Sequence, residues 1–179
     1  MILGDDIVRL RAVEPEDLEL LYKWENEESN WRFSNTLAPY SRFVLKNYIA
    51  GSHRSLFETG QLRLMIDIRG EKRTVGTIDL FDFDHFHLRA GVGILVADEA
   101  DRNKGYASAA LACLIKYAFE TLRLHQLWCN ILSDNEESIR LFRNHGFNPC
   151  AEKKEWIKLN GVFVSELLFQ IINPVSALF

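Results

Sequence analysis

A single mixed α/β domain is the fold class this sequence predicts, and three observations predict it. Its 179 residues suit one domain better than two and suffice to bury a substantial core. Hydrophobic residues make up 47% of the chain, with 12 phenylalanines, against 26% charged residues, a balance that favours compact folding over disorder. Period-2 and period-3.6 apolar patterns alternate along the chain, giving about seven strands and four helices. No repeat, low-complexity run or break in composition divides residues 1–179.

Residues 7–11, Ile-Val-Arg-Leu-Arg, alternate like a half-buried strand. Val13-Glu14-Pro15-Glu16-Asp17 then reads as a helix start, with proline at the first helical position and acids against the helix dipole; Leu18, Leu21 and Tyr22 continue it as an apolar stripe. A second helix is expected at about 41–54 through Val44, Leu45, Tyr48 and Ile49. Strands at 62–68 and 74–80 flank the polar turn 69–73, as in a hairpin. Residues 91–96 form a further strand, in which Gly91 and Gly93 signal a bulge or a close backbone approach. From 106 to 122 the residues Ala107, Ala110, Leu111, Leu114, Ile115, Ala118, Phe119 and Leu122 recur at spacings of three and four, the clearest helix in the chain. A short strand at 126–132 follows. Asp134, Asn135, Glu136 and Glu137 cap and charge the next helix, which stops at Gly146. Two last strands, about 150–158 and 162–171, meet at Asn160-Gly161, a tight-hairpin signal.

Composition also excludes function classes. A net charge of −4 argues against general affinity for nucleic acid, which needs a basic footprint. No stretch approaches the roughly 20 consecutive apolar residues of a membrane-spanning helix. Residues 1–6 lack the basic and apolar parts of a signal peptide. Cys113, Cys129 and Cys150 are odd in number and widely spaced within apolar patterns, so they are expected as buried reduced thiols in a cytoplasmic protein. His85-x-His87 supplies two metal ligands without a third, and no metal is expected. Between 14 and 28, Glu14, Glu16, Asp17, Glu19, Glu25, Glu27 and Glu28 face only Lys23. That run reads first as the wet face of a helix, and second as a hint of a cationic substrate.

The segment with the most chemistry is a strand that feeds a glycine-containing turn and then the long helix. Free N–H groups at that helix start, with the positive end of its dipole, suit a pyrophosphate, and Arg102 and Lys104 add positive charge there. Alone, such a turn is also an ordinary connection. A second segment some 30 residues on raises its weight: Asn135-Glu136-Glu137-Ser138-Ile139-Arg140-Leu141-Phe142-Arg143-Asn144-His145-Gly146-Phe147.

Together these segments resemble the GNAT superfamily of acyltransferases. Arg102-Asn103-Lys104-Gly105-Tyr106-Ala107 is similar to that family's coenzyme loop, Q/R-x-x-G-x-G/A. Asn135, Ser138, Leu141, Gly146 and Phe147 fit its later motif, N-x-x-S/A-x-x-L-Y-x-K-x-G-F. The resemblance runs from about 7 to 172 and implies a mostly antiparallel sheet flanked by helices. A dinucleotide-binding alternative fails, because no G-x-G-x-x-G follows the first strand. Within the superfamily, residues 76–90, which include Asp79, Asp82 and the run His85-x-His87-x-Arg89-Ala90, are similar to the spermidine (polyamine) branch, which also neighbours ribosomal-protein N-terminal acetyltransferases.

The resemblance implies acetyl transfer from acetyl-coenzyme A to a primary amine, either a small polyamine-like cation or a protein N-terminus. It implies a coenzyme site built from Leu95, Val96, Arg102, Asn103, Lys104, Gly105, Tyr106, Ala107, Ser108, Asn130, Asn135, Ser138, Phe142 and Arg143. A backbone N–H at about 94–96 would meet the developing oxyanion. Glu27, Glu28, Trp31 and Asp82 are substrate-binding candidates, and Trp24 and Phe33 are either core or pocket aromatics. An alkyl amine with a pKa near 10.4 is charged at pH 7, so presenting its free base costs roughly 4–5 kcal/mol and calls for a proton acceptor. Asp79, Asp82, Asp84 and His85 are candidates alongside Glu27 and Glu28, and Ser138 is a candidate proton source. Two departures from the family stand out. Gly91 lies where many relatives carry a glutamate, and Phe142 lies where many carry an acid-donating tyrosine. They motivate a second reading, a coenzyme-binding sensor with little catalysis. Relatives are often dimers or larger, and the aromatic-rich end 163–179 offers an interface.

Overall fold

Val8 and Leu10 are buried while Arg9 between them is exposed, so the first alternating run folds as a strand, Val8–Ala12 (β2), beside a two-residue edge strand, Leu3–Gly4 (β1). The computed structural model describes residues 3–34 and 36–175, without the Phe33 side chain; the roles expected of that ring and of 176–179 lie outside the described residues. Pro15–Asp17 forms a 3-10 turn in which Glu14 and Asp17 cap each other. It leads into α1 (Leu18–Glu25), which buries Leu21 and Trp24. After α2 (Glu28–Ser34), the expected second helix is α3 (Arg42–Gly51), capped by Ser41 Oγ, which accepts the Val44 N–H at 3.2 Å.

The remaining elements are α4 (Leu56–Thr59), β3 (Leu62–Ile68), β4 (Thr74–Asp84), β5 (Arg89–Val96), α5 (Tyr106–Lys116) with a π turn at Tyr117–Thr121, β6 (Gln126–Leu132), α6 (Glu136–Asn144), β7 (Asn148–Leu159) and β8 (Val162–Ile172). They form one eight-stranded sheet in the order β1-β2-β3-β4-β5-β6-β8-β7. Every neighbouring pair is antiparallel except β5 and β6, which α5 joins as a crossover. The sequence pattern predicts about seven strands and four helices, and there are eight and six among the described residues. The additions, β1, α2 and α4, are too short to show a period. α4 is bounded by a Ser55/Glu58 capping box and by Gly60 in the left-handed region at φ 69°, signals that mark ends without revealing a helix between them.

The sheet sits between two helical layers. α5 covers one face, where Ile66, Ile78, Leu80, Leu111, Leu114, Leu127 and Phe169 form the main core. α1 and α3 cover part of the other, around Leu21, Trp24, Ile49 and Met65. On that second face Arg11 donates to Asp17 at 2.7 and 2.8 Å and to Asp67 at 2.9 Å, pinning the first turn to β2 and β3. Burial works to raise the Asp17 carboxyl, but the Arg11 guanidinium and the Glu14 N–H outweigh it and hold it below the usual range.

Of the three cysteines, Cys129 is buried as expected, Cys113 is half-buried and Cys150 is exposed. The last differs because it lies on β7, the edge strand of the sheet. No helix among the described residues is long and apolar enough to cross a membrane, and no cluster of three potential metal ligands occurs among them.

Candidate active site

β5 pairs with β4 along its length, but with β6 only at Arg89–Gln126, Ala90–Leu127 and Gly91–Trp128. Beyond Gly91 the two strands part. Alternate N–H and C=O groups of 92–96 therefore point toward a side where no strand remains. A cavity of about 430 Å³ opens in the cleft, walled by Val92, Gly93, Ile94 and Leu95 on β5 and by residues 129–132 on β6.

The two glycines of β5 explain what fills the cleft. A Cβ on Gly91 would stand 2.4 Å from the Phe81 ring; one on Gly93 would stand 3.7 Å from the same ring and 3.9 Å from the Asp79 Cβ. The missing side chains leave room for Phe81 and Asp79 to lean across from β4. Phe81 then meets Trp128 edge-on, with centroids 5.1 Å apart. The place where many relatives carry a glutamate is thus taken by a neighbouring strand's phenyl ring, with Asp79 beside it.

At the C-terminal end of β5 the chain turns through Glu99–Asp101 into α5. Gly105 has φ 86°, and a Cβ there would meet nothing within 4 Å, so the turn presents an open, side-chain-free surface. The first α5 bond runs from the Ala109 N–H to the Gly105 carbonyl at 2.9 Å; the amides of Tyr106, Ala107 and Ser108 precede it in the first turn. That geometry fits a coenzyme diphosphate, since amide hydrogens and the dipole converge on space that no Cβ fills. Asp101 is buried and braces the turn, accepting from Arg73 at 2.5 Å and from Lys104 at 3.3 Å. Arg102 reaches back to the Val96 carbonyl at 3.4 Å, and Asn103 adopts φ 60°.

Charge in the cavity centres on Arg63. It donates to Asp79 at 2.7 and 3.3 Å and to Glu25 at 2.6 Å, with Tyr48 under its guanidinium at 5.4 Å. Two carboxylates share one guanidinium. Burial pushes the Asp79 carboxyl up, against the opposing pull of Arg63. The other charges in the wall are matched: Glu166 accepts from Lys153 at 2.6 Å, and Arg32 on α2 bonds Asp134, two residues before α6.

The expected site residues separate into groups. Leu95, Asn130, Asn135, Ser138, Phe142 and Asp79 all line the cavity. Arg102, Asn103, Lys104, Gly105, Tyr106, Ala107 and Ser108 gather at the α5 start; Ser108 Oγ lies 2.8 Å from His145 Nε2. Burial pushes His145 down, toward its neutral form. Arg143 is exposed, lies over the Phe169 ring at 5.9 Å and is not part of the cavity wall.

Other candidates lie elsewhere. The β4–β5 register shifts between Phe81 and Asp84, and Asp82, at φ 47°, leaves the strand alternation for a separate trough with Trp128, Lys153 and Gln170. His85 is exposed in the turn that follows. Glu27 and Glu28 are exposed at the start of α2, outside the cavity wall. Trp31 is half-buried outside that wall too, and its indole N–H donates to the Glu25 carbonyl at 2.7 Å, fixing α2 on α1. Sequence reading missed Asn30, Arg63 and Glu166, all of them in the wall, and singled out Glu25, also in the wall, only as part of the acidic run 14–28. Arg63 carried no local signal, since a charge within a strand reads as solvent-facing until the opposite layer is known.

A parted strand pair with a glycine-opened helix start at its end fits an acyl-coenzyme-A-dependent transferase, and similarity to known proteins gives the class. The chain belongs to the GNAT acetyltransferase family, whose Acetyltransferase (GNAT) domain matches residues 8–148. It is an acetyl-coenzyme-A-dependent N-acetyltransferase. It is 29% identical to the spermidine N(1)-acetyltransferase of Escherichia coli K12 over 156 residues, 87% of this chain and 81% of that one. The Vibrio cholerae spermidine N(1)-acetyltransferase is 23% identical over 154 residues, 85% of each chain. The crystal structure of the V. cholerae spermidine N-acetyltransferase with CoA and spermine superposes with a TM-score of 0.83 at 20% identity, covering 94% of this chain and 97% of the other. A dodecameric structure of that enzyme matches with a TM-score of 0.77 at 20% identity, covering 94% and 95%.

Proposed function

We propose that this enzyme acetylates a terminal amine of a small polycation of the polyamine class. One observation carries the reading: Glu25 and Asp79 share Arg63, which leaves the cleft one negative charge in excess at the place where an acceptor must meet the thioester. The likeness to spermidine acetyltransferases supports it. The 430 Å³ cavity has the size of a small-molecule site.

Acetyl-CoA brings the activated carbonyl; the chain's residues hold and deprotonate. The amides of 103–108, with Arg102 and Lys104, hold the diphosphate. Leu95, Val96 and Asn130 flank the pantetheine arm, and Asn135, Ser138 and Phe142 flank it from α6 and its cap. Asp79, its affinity for a proton raised by burial, accepts the ammonium proton directly or through water. The new N–C bond forms as the C–S bond breaks. The sulfur leaves as a thiolate, which a thiol pKa near 8.5 allows without the missing tyrosine, and Ser138 or water returns its proton.

Residues 1–179 act as one domain in this reading, because the sheet continues unbroken from β1 to β7. Self-association belongs to it too: Trp156, Val162 and Phe163 stand exposed on the β7–β8 hairpin, and sedimentation should show a species larger than a monomer. The decisive assay follows thiol release from acetyl-CoA with spermidine, spermine, aminoglycosides and N-terminal peptides. Spermidine turnover at least about tenfold above the peptides is expected. Faster turnover of peptides, or release with no amine at all, would overturn the polyamine assignment.

A further inference from the structure

We propose that Asn30 is a positioning residue that reads the N–H hydrogens of the acceptor's terminal nitrogen. The idea rests on the amine reading above and names what holds that amine.

Asn30 occupies the third position of α2, is 3% exposed and lines the cavity with Glu25, Arg63 and Asp79. Its Nδ2 donates to the Trp24 carbonyl at 3.2 Å. That bond sets the orientation of the amide, because the flipped rotamer would place two carbonyl oxygens against each other. The Oδ1 is left as the buried side-chain polar atom without a partner among the described residues. Buried amide oxygens are seldom left so, and the unpaired one of a residue that lines the cavity calls for a donor, which an acceptor amine seated against Asn30 would bring.

The chemistry of an amide oxygen gives it a role that neither carboxylate can fill. It accepts a hydrogen bond but takes no proton at neutral pH. A primary ammonium brings three N–H bonds. When a carboxylate removes one hydrogen, Asn30 still holds another, and the emerging lone pair keeps its direction toward the thioester. Glu25 is placed to engage a further N–H, since its Oε1 bonds Arg63 and its main-chain oxygen is tied to Trp31. Two held hydrogens and one free lone pair describe a primary amine. A secondary amine lacks one hydrogen once deprotonated, and an alcohol lacks more.

The test compares spermidine with its N1,N8-dimethyl analogue, which keeps length and charge but removes one N–H from each end. Wild-type enzyme should prefer spermidine by at least about tenfold in kcat/KM. In Asn30→Leu that preference should fall to about threefold or less while KM for acetyl-CoA stays unchanged. A merely structural Asn30 would lower both substrates together and leave the ratio intact, which overturns the proposal. Should Asn30→Leu fail to fold, wild-type protein still decides. The Asn30 side-chain amide resonances should shift when spermidine is added with CoA, and stationary resonances overturn the idea. Turnover of spermidine with an unaltered ratio sinks the Asn30 role alone, whereas absence of turnover with any amine sinks the amine reading and this role with it.

Discussion

Phe142 is 3% exposed, packs edge-on against Phe147 with centroids 5.0 Å apart and still forms part of the cleft wall. A phenyl ring supplies no proton, so the departing sulfur relies on its own acidity. Phe142→Tyr should raise kcat by about tenfold or more, since a positioned acid contributes about 10²–10⁴ in rate, and stopped-flow thiol release would measure it. Asp79 makes the opposite prediction. Burial raises its carboxyl above the ordinary value, so in the proposed role of base it would work only above that raised value. Activity should fall as pH drops through it, at a higher pH than an exposed aspartate would give. Asp79→Asn should remove that limb and about 10² of kcat/KM, read from a pH–rate profile.

At the scale of the element, the strand pair and the α5 start carry separate consequences. Gly91 and Phe81 fill one volume between them, because a Cβ on Gly91 would come within 2.4 Å of the ring. Gly91→Ala should destabilise the fold by about 1–3 kcal/mol through overpacking. Adding Phe81→Ala should recover part of that loss, a coupling that a double-mutant cycle in urea would show. At Gly105, φ 86° and the empty space around it leave the backbone itself open to the diphosphate in the proposed site. Gly105→Asp should weaken acetyl-CoA binding by about 100-fold or more in calorimetry, because it sets a carboxylate against a diphosphate and strains the turn.

Across the whole molecule, the outer edge of the sheet depends on the Arg11 cluster, which ties Asp17 at the head of α1 to β2 and to Asp67 of β3; Thr74 of β4 donates to Asp67 at 2.8 Å. The folded Asp17 carboxyl is depressed, so its contribution is present in full above the unfolded carboxylate value and is lost as pH falls through the depressed one. Arg11→Met should therefore cost about 2 kcal/mol at pH 7 and much less near pH 2, measured by chemical denaturation at both. The same cluster holds α1 and, through it, the Trp24–Asn30 wall, so acid should open the acceptor side before the α5 core.

The sequence alone determined the elements with clear periods, the mixed α/β class and the glycine turn that begins α5, because periodicity and backbone freedom are local properties. Arg102 to Ala107 and Asn135 to Phe147 were legible as a coenzyme site through their resemblance to the GNAT motifs, which runs of consecutive residues carry. Tertiary structure alone brought together the proposed acceptor side. Glu25, Asn30, Arg63 and Asp79 come from two helices and two strands, and Asp82, only three residues from Asp79, is carried into another trough by a register shift. Which carboxylate faces a cleft depends on where neighbouring strands part and what packs above them, and those are contacts between residues far apart in the chain.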